Sequence, residues 1–169
     1  MFSKKHKISS DDFGVILFND FILPACNNLR NDAGLKKEDI IELELLIAYT
    51  WLVFHFLNVA GKKYEKVANA LNHALFQYYK NNIPSAKLAP LSGNGFFNLL
   101  NIKSEQYKNS FMSGHKNMNF EKVAIIISEN VLASDKPNID IFFNFKIGTS
   151  LQQLAIALAE ILKETELTN

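Results

Sequence analysis

The stretch Glu38–Val59 constrains the fold more than any other part of the chain. From Leu45 to Leu57 only Thr50 and His55 interrupt the apolar side chains, so a helix built on this run leaves no face for water. Such a helix belongs in a protein core or a bilayer. The run falls short of the roughly 20 residues that cross a bilayer, so a core helix and no membrane span are expected. Glu38 and Asp39 put negative charge at the positive end of its dipole, and Gly61 supplies a stop. The central element is therefore expected over about residues 38–60.

The neighbours of this rod are read from apolar spacing. Tyr64, Val67, Ala68, Leu71, Leu75 and Tyr78 follow the i, i+3, i+4, i+7 pattern of an amphipathic helix running from about Lys63 to Asn81. An earlier helix begins near Ser9, whose spacing to Asp12 is a capping-box pattern, and Pro24 is expected to kink it or end it at Leu23. Asn31–Gly34 turns the chain into the central helix. Pro84 and Pro90 break the segment Ile83–Asn94, after which Phe96, Phe97, Leu99 and Leu100 mark a helix, with Ser104 as the start of a separate one. Asn119 caps a helix carrying Phe120, Val123, Ala124, Ile127 and Val131, and Ser134–Pro137 reads as a loop. Ile139–Ile147 fits both a strand and a helix ending at Gly148; the helix is preferred, because no strand partner is evident. Ser150 and Gln153 then cap a last helix, and Lys163–Asn169 is expected to fray. The reading is one domain over residues 1–169: an irregular all-α bundle of six or seven helices.

Composition agrees with a packed globular chain. Of 169 residues 48% are hydrophobic and 21% charged, and the 7 Gly and 4 Pro are too few for the turns of a sandwich or barrel. Cys26 is the lone cysteine, which suits a reducing compartment, and the basic start reaches Asp11 and Asp12 without a signal-peptide pattern. A cytoplasmic location is expected.

Reactive constellations are sparse. His6, His55, His73 and His115 show no His pair at helical spacing, and no Glu-x-x-His motif occurs. Glu44 and His55 stand about 16 Å apart along the central helix and cannot share an ion. His55 reads as a core histidine bonded to a carbonyl, and no metal or cofactor is expected. Cys26 has no signature of an activated thiolate, and Gly-x-Ser-x-Gly is absent. The acidic pairs Asp11/Asp12, Glu38/Asp39 and Glu42/Glu44 are explained by helix starts or solvated faces. Ser92–Gly95 lacks the Gly-Lys-Ser/Thr ending of a nucleotide loop and reads as a turn and cap. No catalytic residue is assigned.

Two features remain. Net charge is +1, yet residues 47–122 hold nine basic and three acidic groups between acidic flanks. Lys62, Lys63, Lys66, Lys80, Lys87, Lys103, Lys108 and Lys116 are candidates for contact with a nucleic-acid backbone. With Arg30 the single arginine, sequence-specific reading of bases is largely out of reach, and a solvated lysine surface is the default for this layout. The second feature is an aromatic surplus that includes 14 Phe. Adjacent helical residues point about 100° apart, so one member each of Phe96–Phe97 and Phe142–Phe143 is a candidate for partner binding. The sequence thus points to a non-enzymatic interaction subunit of a larger assembly. The competing class is a carrier of a small apolar ligand or lipid, with a pocket beside Trp51 and His55.

Overall fold

The computed structural model describes residues 6–35, 39–83, 93–112, 119–132 and 141–168. It is an all-α helical bundle around a buried central helix, as the sequence leads one to expect. Strand β1 (His6–Ser9) leads into α1 (Ser10–Ile16), a π-helical segment (Leu17–Ile22) and α2 (Leu23–Asp32). The central α3 (Asp39–Ala60) is followed by a short 3-10 turn (Lys62–Tyr64) and α4 (Glu65–Asn82). Then come α5 (Gly93–Phe111), α6 (Phe120–Leu132), α7 (Ile141–Glu164) and strand β2 (Thr165–Thr168).

In α3 every residue from Ile41 to Val53 is buried, and the helix emerges only at its end, where Asn58 and Val59 are exposed. By length and apolar character Ile41–Ala60 meets the test for a membrane span, so the shortness of the apolar run does not decide the matter. In the fold α3 is enclosed by the other helices, with 67% of its most apolar stretch buried, as in a core helix. Gly61, at φ 105°, ends the helix in a conformation that L side chains rarely adopt, and its N–H donates to the Leu57 carbonyl. Next to it, α4 buries Val67, Leu71, Leu75 and Tyr79. Ser9 caps α1 by accepting from the Asp12 N–H, and Asn119 caps α6 by accepting from the Lys122 N–H.

Several boundaries differ from the expectation. Pro24 neither ends nor breaks the helix. The preceding turn is wound wider, so that the Leu23 N–H bonds to the Phe18 carbonyl five residues back, and the chain passes through the proline into α2. Ser104 starts nothing, since α5 runs unbroken to Phe111. Gly148 is no stop either, and α7 continues through it and Ser150. The Ser150 hydroxyl accepts from the Tyr49 hydroxyl on α3 instead of capping a helix. The segment from Lys163 to Thr168 does not fray: β2 pairs in parallel with β1, setting Ile8 beside Leu167 and Lys7 beside Glu166. Ile8 and Leu167 pack on the core, which accounts for a ribbon this short. The predicted loops Pro84–Pro90 and Ser134–Pro137 lie outside the described residues.

Helices α1 and α4 approach closely at Gly14. A Cβ there would lie 2.6 Å from the Ala70 Cβ, 2.7 Å from the Val67 carbonyl oxygen and 2.8 Å from the Leu71 nitrogen. Gly148 faces ordinary space, with Ala124 Cβ at 3.8 Å. Gly14→Ala is therefore expected to destabilise by about 1–3 kcal/mol, because backbone must move. Gly148→Ala should be neutral or stabilise by up to ~1 kcal/mol through helix propensity. Urea unfolding of the two variants checks this; equal effects would contradict the described α1–α4 crossing.

Candidate functional site

The most structured polar chemistry lies at the start of α3, where the sequence suggested solvated carboxylates. Glu42 and Glu44 are instead buried, at 7% and 6% exposure. Residues two apart on a helix point about 200° apart, so the two side chains leave α3 in nearly opposite directions. Glu42 takes a hydrogen bond from the Tyr78 hydroxyl of α4 at 2.6 Å and lies 3.5 Å from the Arg30 guanidinium of α2. Glu44 takes hydrogen bonds from the Tyr107 hydroxyl of α5 and, at 2.7 Å, from Asn130 Nδ2 of α6. Lys103 Nζ of α5 stands 3.1 Å from its second oxygen. Each carboxylate thus has a cation and a tyrosine, as burial of a charge requires. The signal was present in the sequence: Ile41, Leu43 and Leu45 surround both glutamates in a helix without a solvent face.

These groups are shifted away from chemistry at neutral pH. Burial, followed by the hydrogen bond to Glu42, pushes the Tyr78 phenol up to about 12. Burial and the Glu44 charge push Tyr107 up as well, and burial does the same for Tyr49. The Cys26 thiol is buried and raised, first by desolvation and then by the Glu42 charge, which makes it a structural cysteine. His55 is half-buried, and desolvation lowers its pKa. Its ring centroid lies 5.1 Å from that of Phe111 and 6.1 Å from that of Trp51, so its described partners are rings and not the expected carbonyl. The space beside Trp51 is occupied by Tyr107 and Phe111, at 5.6 Å and 5.4 Å, where a carrier pocket was expected. Among the described residues no group of three His, Cys, Asp or Glu side chains is placed to hold a metal.

The candidate surface residues divide sharply. Phe96 and Phe143 are core residues, which removes them as partner-binding candidates. Phe97 is half-buried and packs on Phe76 with centroids 5.5 Å apart. Phe142 is 77% exposed. The sequence reading missed Phe145, 71% exposed and one turn along α7. Phe145 borders a groove of about 540 Å³ between α7 and the π segment with α2. Phe21, Pro24, Ala25, Leu154 and Ala157 make its apolar floor and walls, and Asp20 and Asp32 stand on its rim.

The lysines do not make one face. Lys103 is held by Glu44 and Lys108 by Glu105 at 3.3 Å. Lys80 lies near the Phe76 ring, about 21 Å along α4 from Lys66. Lys87 and Lys116 lie outside the described residues. Lys62, Lys63 and Lys66 do come together, around a second cleft. No family model, curated protein or solved structure matches the chain.

Two expectations follow from the buried carboxylates. Lys103→Met strands the Glu44 charge and should cost about 3–5 kcal/mol, against ±0.5 kcal/mol for Lys108→Met on the exposed side of the same helix. Denaturant midpoints of the two variants measure the difference. The raised phenols favour the neutral form in the folded state. Their contribution is complete below the unfolded tyrosine pKa of about 10 and, for Tyr78, is lost as pH rises through about 12. Tyr49, Tyr78 and Tyr107 should therefore ionise together with alkaline unfolding, seen by phenolate absorbance beside circular dichroism; titration of these three before the fold is lost would contradict their raised values.

Proposed function

We propose that this chain is a non-enzymatic helical subunit that docks on a protein partner within a larger assembly. The observation that carries the reading is Phe145, held in solvent at the lip of the α2–α7 groove. Burying such a ring is worth about 1.5–3 kcal/mol, and aromatic anchors of this kind dominate protein interfaces. The groove's apolar lining suits an apolar helix ridge, and Asp20 and Asp32, only partly offset by Lys146, favour a partner with flanking Lys or Arg. Support for a non-catalytic role comes from the interior, where the carboxylates are paired and Cys26 is inert. A reducing, cytoplasmic setting suits that single buried thiol.

A version in which lysines rest on a nucleic-acid backbone draws its support from Lys62, Lys63 and Lys66 alone, since Lys103 and Lys108 are committed to glutamates. The carrier reading loses its expected place beside Trp51, where aromatic rings fill the space.

The test is affinity capture from the native host with wild type, Phe145→Lys and Val59→Lys. Val59 is as exposed as Phe145 but lies at the end of α3, so it controls for added charge. Phe145→Lys should keep its melting temperature and lose the partner by at least about tenfold in affinity, while Val59→Lys retains it. A wild-type chain recovered alone and sedimenting as a monomer would remove the proposal.

A further inference from the structure

We infer that the α2–α7 groove is filled by a second copy of this chain, with the two α7 helices antiparallel and Phe145 of each in the groove of the other. The inference rests on the docking reading above and names its partner. Along α7 the side chains Phe142, Phe145, Thr149, Gln152 and Ile156 recur at alternating steps of three and four residues, the spacing of a seam between paired helices. Phe142, Phe145, Gln152 and Ile156 are exposed. The other exposed large apolar residues, Val15, Val59, Ile102 and Met112, are scattered over α1, α3 and α5 or their ends. A stripe of exposed apolar residues on one helix marks an interaction face, whereas scattered ones are ordinary surface.

The stripe is laid out for a two-fold axis. Thr149 stands midway between Phe142 and Ile156, so antiparallel copies of α7 crossing at Thr149 set each Phe142 opposite an Ile156. The groove has nearly the same centre: Phe145 borders one end, and Leu154 and Ala157 line the other. Rotation about Thr149 carries Phe145 of one copy toward Leu154 and Ala157 of the other. A contact of this kind closes on itself, because one patch serves both copies and no third copy can add.

Charge selects the same occupant. Lys146 Nζ donates to the Asp32 carbonyl at 2.6 Å, which sets the end of α2 beside the start of the groove. The preceding turns of α2 and the π segment therefore run antiparallel to α7, and Asp20 stands about 18 Å further on, at the end lined by Leu154 and Ala157. Neither the Asp20 nor the Asp32 carboxylate has a cation within ion-pair distance among the described residues, and Lys146 is held by a neutral carbonyl. The groove thus suits an apolar group with a cation beside it. Phe145 and Lys146 are such a pair, and the axis at Thr149 brings Lys146 of one copy to the Asp20 end of the other. Phe142 to Ile156 covers about 21 Å of α7, and with α2 alongside the patch is about 20 Å wide. A footprint of about 400 Å² per copy is at the small end for specific interfaces, so the dimer is expected to be weak and reversible, in the micromolar range.

The experiment is sedimentation equilibrium of the full chain from about 1 to about 300 μM at low salt, with melting temperatures to show that each variant is folded. A monomer–dimer equilibrium is expected, weakened about tenfold or more by Phe145→Lys, several-fold by Asp20→Lys or by Lys146→Glu, and unchanged by Val59→Lys. Asp20→Lys mixed with Lys146→Glu should associate more tightly than either variant alone, because each copy then meets opposite charge on the other. Isotope labelling of one variant lets native mass spectrometry identify that pair as a heterodimer. A wild-type monomer throughout the range, a dimer untouched by Phe145→Lys, or a mixture no tighter than its components overturns the inference. The docking reading is judged separately: a monomeric wild type that still captures a host protein through Phe145 keeps that reading and excludes the second copy.

Discussion

The arrangement of this protein depends on two carboxylates at the start of its most apolar helix. An apolar rod surrounded by apolar neighbours gains from burial whichever way it is rotated, since that driving force has no direction. Hydrogen bonds and ion pairs have direction. Glu42 engages α2 and α4 through Arg30 and Tyr78, while Glu44, on nearly the opposite side, engages α5 and α6 through Lys103, Tyr107 and Asn130. Rotating α3 about its axis would strand both charges, at several kcal/mol each. A buried pair adds little net stability over an apolar isostere, so we assign these groups mainly to the choice of one packing among many. Further along α3, the Tyr49 hydroxyl bonds Ser150 and ties in α7.

Around this axis the closure of the fold is local and steric. Gly14 lets the α1 backbone meet α4 at a distance no side chain would permit, which seats α1, and β1 before it, against α4. The end of α7 arrives at the same place, and β1 and β2 pair there. The cleft with Ser10, Lys62, Lys63 and Lys66 follows from that meeting, because its walls come from α1, the start of α4 and β2.

Features carried by nearest neighbours were legible in the sequence. The central helix, the apolar stripe of α4, the Ser9 and Asn119 caps and the Gly61 stop each depend on residues within a turn or two. What was not legible depends on partners far along the chain. Gly148 reads as a stop because glycine favours helix ends, yet here it lies inside α7 with Ala124 as its neighbour. Ser150 reads as a cap until Tyr49 is placed opposite it. The β1–β2 ribbon joins segments from the two ends, and neither has a strand pattern long enough to be noticed alone. Phe145 escaped because adjacency drew attention to Phe142–Phe143, whereas exposure follows the angle around α7, which only the packing of that helix determines. The burial of Glu42 and Glu44 was the avoidable miss, since a helix with no face for water has none for carboxylates either.

The interior also supports placing the proposed function on the surface. Acid–base or nucleophilic work at neutral pH needs a group whose pKa lies near the working pH and whose atoms a substrate can reach. Here the tyrosines beside Glu42 and Glu44 move further from neutrality, and the Cys26 thiol moves away from the reactive thiolate. His55 moves toward the uncharged form between aromatic rings. Each shift has the sign that desolvation imposes, and each therefore favours the neutral state that burial tolerates. Titratable groups handled this way hold helices in place. Among the described residues, exposed polar and aromatic side chains gather along the α2–α7 groove and around Lys62, Lys63 and Lys66, two places built from different elements.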